Sequence, residues 1–85
     1  MNPTVLDVRG LACPLPAVKA RIALAAVPPG GALLVLATDA EAPIDVAAVA
    51  ADAGCAFSQA RAAGAWRLLV ERPRVPPAGA RTLMR

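Results

Sequence analysis

Leu6-Asp7-Val8-Arg9-Gly10-Leu11-Ala12-Cys13-Pro14-Leu15-Pro16 is the stretch from which the rest of this chain can be read. A short apolar run ends at Val8, Gly10 lets the backbone change direction, and Pro14-Leu15-Pro16 opens a helix. Proline suits a first helical position because its missing N–H had no intrahelical acceptor and its φ is already helical. On that spacing Pro14 is the first helical residue and Cys13 the N-cap. A sulfur so placed faces the backbone N–H groups of Leu15 and Ala17 and the positive end of the helix dipole. This setting predicts a lowered thiol pKa and more thiolate, the nucleophilic form. Cys13 is therefore the candidate reactive residue, held in place by Gly10, Pro14 and Pro16.

Working outward, Thr4 to Val8 reads as a strand, with Leu6 and Val8 on one face and Val5 and Asp7 on the other. Leu15, Val18, Ile22 and Ala25/Ala26 recur at helical spacing, which predicts a helix from Pro14 to about Val27, stopped by Pro28-Pro29-Gly30-Gly31. Ala32 to Ala37 is a continuous apolar run between turn signals, as in a buried central strand. After the polar loop Thr38 to Pro43, a second helix is expected from about Ile44 to Ala53. Its apolar face carries Ile44, Ala47, Ala48 and Ala51, and Gly54 stops it. Cys55 to Arg61 and Trp66 to Arg72 read as two strands joined through Ala62-Ala63-Gly64-Ala65 in a hairpin. The fold class is α/β (α+β), a two-layer sandwich of order β-α-β-α-β-β. Its mixed four-stranded sheet carries both helices on one face. Residues 1–72 form the domain and 73–85 a flexible Pro/Arg-rich tail.

The chain has 85 residues and a net charge of +3, enough for one small domain. Up to Glu71 the cations are Arg9, Lys19, Arg21, Arg61 and Arg67, set against Asp7, Asp39, Glu41, Asp45, Asp52 and Glu71. The domain is thus close to neutral, and the basic excess lies in Arg72, Arg74, Arg81 and Arg85. With only Phe57 and Trp66 as aromatics, this balance argues against direct nucleic-acid binding. No apolar run is long enough for a membrane span, and Met1-Asn2-Pro3-Thr4 lacks the features of a secretory signal, so a cytoplasmic protein is expected. Two cysteines, Cys13 and Cys55, and no histidine exclude a Cys–His nucleophile pair and a Cys/His zinc site within one chain. Neither metal nor cofactor is expected. Cys55, which follows Gly54 without a motif, reads as a packed structural cysteine.

Leu6-Asp7-x-Arg9-Gly10-Leu11-x-Cys13-Pro14-x-Pro16, followed by Lys19, resembles the signature of the TusA/SirA sulfur-carrier family. The β-α-β-α-β-β order is also that family's fold, and the resemblance covers roughly residues 4 to 72. Thr38-Asp39 and Asp45 resemble the family's acidic loop and the opening of its second helix. The resemblance implies a carrier component of sulfurtransfer rather than a stand-alone turnover enzyme. Cys13 would accept a sulfane sulfur as a persulfide and relay it to an acceptor protein. It also implies a cysteine desulfurase or rhodanese as donor, and acceptors in tRNA thiolation, molybdenum-cofactor maturation or sulfur oxidation. Arg9, Lys19 and Arg21 would surround the helix start, favour the sulfur anion and dock acidic partner surfaces. A monomer with no membrane partner is expected.

Two other functions fit the residues. Cys13 and Cys55 could form a thiol-disulfide redox module, in which case both cysteines are required. Alternatively the chain is a non-catalytic protein or RNA interaction domain, whose function survives loss of Cys13.

Overall fold

The computed structural model describes residues 2–74; residues 75–85, most of the expected tail, lie outside it. The elements run β1 (Thr4–Asp7), α1 (Leu15–Ala25), β2 (Ala32–Ala37), α2 (Ala42–Asp52), β3 (Ala56–Ala62) and β4 (Ala65–Glu71). The sheet order is β1-β2-β4-β3, with β1 parallel to β2 and β4 antiparallel to both its neighbours. This is the expected mixed sheet. The two helices pack on each other and on one sheet face, where Val8, Leu33, Val35, Val46, Leu68 and Val70 are fully buried.

β2 has the expected bounds because turn residues delimit its apolar run on both sides. The hairpin is tighter than expected: Ala62 pairs with Ala65, leaving Ala63 (φ 53) and Gly64 (φ 75) as a two-residue turn. Positive φ at both positions matches the twist of the flanking strands. α2 starts two residues earlier than expected, because Pro43 sits inside its first turn, where no intrahelical donor is needed.

The helix faces differ more from expectation. On α1, Pro16, Ala20 and Leu24 are buried, while Leu15, Val18 and Ile22 are 46%, 47% and 70% exposed. On α2, Ala42, Pro43, Val46, Val49 and Ala50 face inward, and Ile44 is 71% exposed. Both helices are apolar around most of their circumference, so spacing alone leaves their inward direction undetermined.

Arg72, counted with the tail charges, is tied into the domain. Its backbone N–H donates to Gly31 O at 2.9 Å, and its carbonyl accepts from Gly30 N at 3.0 Å. Its guanidinium donates to Leu24 O at 2.7 Å, satisfying a carbonyl in the last turn of α1.

Candidate functional site

Because β1 and β2 are adjacent and parallel, the loops that leave their C-terminal ends emerge side by side. Val8 N donates to Leu36 O at 2.8 Å, extending the pairing just past β1. Gly10, at φ +83, then turns the chain, and its N–H donates to Thr38 Oγ1 at 2.9 Å. The two loops are thereby clasped. Asp39 completes the junction: its Oδ2 accepts from Cys13 N at 3.3 Å and its Oδ1 from Glu41 N at 2.8 Å.

Cys13 is exposed at this junction, and its Sγ–H donates to Asp45 Oδ2 at 3.1 Å. The Asp45 hydrogen bond pushes the thiol up to about 11, followed by partial desolvation and the negative charges of Asp45, Asp39 and Glu41. The expected lowering is therefore reversed. All three charges acting on the thiol are carboxylates. The N-cap assignment moves as well. Val18 N donates to Pro14 O at 3.1 Å, so Pro14 accepts the first helical bond and is the N-cap, with Cys13 one residue outside. Leu15 N–H, expected to solvate an anion, instead donates to Ala12 O at 2.9 Å. Pro16 is fully buried and anchors the first turn of α1 to the core.

The basic residues stand apart from the sulfur. Arg9 grips Asp7 in a bidentate pair, Nε to Oδ1 at 2.9 Å and Nη2 to Oδ2 at 2.7 Å, and that pair holds the Asp7 carboxyl down at about 2. Arg21 Nη2 lies 3.4 Å from Asp52 Oδ2, an exposed pair joining α1 to α2. Lys19 borders a shallow depression with Leu6, Ile22 and Ala23. Lys19 and Arg21 sit more than one helical turn beyond Leu15, so they do not surround the start of α1. The charges acting on Cys13 are acidic. Asp39, Glu41 and Asp45 were missed as site residues because they lie 26, 28 and 32 positions from Cys13 and come near it only through β1–β2 pairing and the α2 that follows. The signal that could have found them is the parallel pair itself, which gathers the residues following both strands.

Cys55 occupies the other end of α2. Its N–H donates to Ala50 O at 2.9 Å, its Sγ lies 3.7 Å from Ala53 O, and its side chain packs partly against the core. Asp45, which touches Cys13, and Ala53 are separated by about 12 Å along the helix axis. A disulfide needs Cα atoms within about 7 Å, so the two cysteines are not placed to pair. Both are free.

A cleft of about 490 Å³, lined by Gly30, Gly54, Ala56 and residues 71–74, lies at the Cys55 end. Among the described residues no group of three or more His, Cys, Asp or Glu is arranged to hold a metal ion, and no helix is long and apolar enough to cross a membrane.

Known proteins share both the sequence pattern and the architecture. The family model described as Sulfurtransferase TusA matches residues 4–72. Two Neisseria meningitidis proteins named as sulfur carriers, one from serogroup A and one from serogroup B, are each 50% identical over 54 residues, covering 64% of this chain and 73% of the relative. The crystal structure of a SirA-like protein from Desulfitobacterium hafniense superposes with a TM-score of 0.74 at 21% identity, over 82% of this chain and 97% of that one. That likeness establishes the shared fold, and the family match with the Neisseria relatives establishes the lineage: the chain belongs to the TusA/SirA-like family of sulfur carriers.

Proposed function

We propose that Cys13 is the persulfide-bearing residue of this sulfur carrier and that its donor is a cysteine desulfurase or rhodanese. The observation that carries the assignment is its exposure at the head of α1, on the rigid Pro14–Pro16 turn and at the junction of two clasped loops. Cys55 is half-buried and far from that junction.

In the loading step Cys13 Sγ attacks the sulfane sulfur of a donor persulfide, R–S–SH. The Sγ–S bond forms, the donor S–S bond breaks, and the electron pair leaves on the donor thiolate. The proton of the Cys13 thiol ends on that donor thiolate. The products are Cys13–S–SH and R–SH, with no net oxidation. Relay to an acceptor repeats the exchange with Cys13 as leaving group. Its acceptors belong to tRNA thiolation, molybdenum-cofactor maturation or sulfur oxidation.

The test is intact-protein mass spectrometry after incubation with cysteine and a cysteine desulfurase or a thiosulfate-charged rhodanese. A reducible gain of one sulfur that requires Cys13 but survives Cys55→Ser is expected. A gain on Cys55 alone, or none with either donor class, would overturn the assignment. The redox-module reading loses support from the placement of the two cysteines at opposite ends of α2.

A further inference from the structure

The surroundings of Cys13 pose a chemical problem that the carrier role does not answer. A thiol held at about 11 is overwhelmingly protonated near neutral pH, with thiolate on the order of one part in ten thousand. The free protein is therefore a poor nucleophile at the atom that must attack. Its first neighbour is Asp45, hydrogen-bonded to Sγ, with Asp39 on the Cys13 amide and Glu41 at the N-cap of α2. The nearby cations are engaged elsewhere or distant: Arg9 on Asp7, Arg21 on Asp52, and Lys19 along α1 near Leu6. Leu15, two residues after Cys13, and Ile44, next to Asp45, are exposed beside the acids. Val18 and Ile22 are exposed further along α1, on the stripe that also carries Lys19.

We propose that Asp45, with Asp39 and Glu41, is a partner-selecting device: it keeps Cys13 unreactive in the free carrier and admits sulfur-transfer partners that bring cationic side chains to the acidic centre. The proposal rests on Cys13 being the transfer residue. A cationic partner surface answers the acids by charge complementarity and the exposed Leu15 and Ile44 by apolar contact. Once docked, its positive charges offset the carboxylates, stabilise the Cys13 thiolate and so permit attack. A second copy apposed through this same face would oppose acid to acid. Anionic small molecules, including inorganic polysulfides, are repelled. Loading is thereby confined to the docked complex. The partner surface inferred is basic, opposite in sign to the acidic surface that docking through Arg9, Lys19 and Arg21 would require.

The experiment uses two thiol reagents that differ in charge, the trimethylammonium-ethyl and sulfonatoethyl methanethiosulfonates. Modification of Cys13 in the whole chain is followed by peptide mapping, which separates it from Cys55. The cationic reagent is expected to react on the order of tenfold faster at low salt, after correction for each reagent's rate with free cysteine. The ratio should shrink in 0.5 M salt and fall toward one in Glu41→Gln and Asp45→Asn. Equal corrected rates on the wild-type chain, or a ratio that neither substitution changes, would overturn the proposal. Glu41 is exposed and accepts no bond from Cys13, so Glu41→Gln remains informative if Asp45→Asn disturbs the fold. If Cys13 failed to gain sulfur from any donor, the transfer assignment would fall, whatever the reagent ratio.

Discussion

The two ends of α2 each hold a cysteine and treat it in opposite ways. At the N-terminal end Cys13 is exposed, its thiol hydrogen-bonded to a carboxylate and its backbone to another. At the C-terminal end Cys55 is half-buried, packed against the core, with its Sγ near the carbonyl of Ala53. Exposure alone would make the first thiol the more reactive, yet its neighbours hold it protonated. Access and activation are separate properties here. The protein supplies access, and a docked partner completes activation.

The largest expected effect would break the comparison outright. Cys13→Ser should abolish persulfide loading while Cys55→Ser leaves it intact, read as sulfur gain by mass spectrometry. Next comes the shared sheet. Leu68 is fully buried, and Leu68→Ala should cost about 2–5 kcal/mol, measured by urea unfolding. Because both ends depend on that sheet, the two thiols should then become comparably reactive at low urea, whereas in the wild type they differ.

A smaller change isolates one end. Asp45→Asn should move the pH midpoint of Cys13 alkylation down from about 11 toward the ordinary thiol value of 9.0, leaving the Cys55 profile in place. At pH 7.5 this should raise the Cys13 alkylation rate about tenfold, since greater thiolate abundance is partly offset by lower intrinsic nucleophilicity. The linked stability effect has a definite sign. The folded thiol binds its proton more tightly than the unfolded one, so this contribution is full below 9.0 and is lost as pH rises toward 11. Asp45→Asn should flatten that alkaline decline in thermal midpoint. The smallest effect belongs to Asp7. Its lowered pKa gives a contribution present above the ordinary 3.8 and lost as pH falls toward 2. Asp7→Asn should remove only that acid-side slope, because the Arg9 pair is solvent-exposed.

The order of elements along the chain, the helix count and the bounds of β2 were legible because Gly and Pro punctuate apolar runs of distinct length. The place of Cys13 just ahead of α1 was legible for the same local reason. The inward faces of the helices were not. Leu15, Val18 and Ile22 have the spacing of a core stripe but are exposed, while Ala20 and Leu24 occupy the interior beside α2. In a chain so rich in alanine and aliphatics, tertiary fit decides among several apolar faces. The thiol's true environment was also out of reach. It is assembled from Cys13, Asp39, Glu41 and Asp45, which the parallel β1–β2 pair brings together. Local logic saw the helix start and could not see the carboxylates that raise the thiol pKa.

Ala20 on α1 and Ala50 on α2 are both completely buried, and the two helices pack on each other. How those helices seat sets the distance between Cys13, ahead of α1, and Asp45 on α2. A hydrogen bond of 3.1 Å tolerates only a few tenths of an ångström before it weakens sharply. A single added methylene at either alanine, deep beneath the surface, would thus retune the acidity of a sulfur it never touches. Inheritance of reactivity in such a protein follows the interior as closely as the exposed motif.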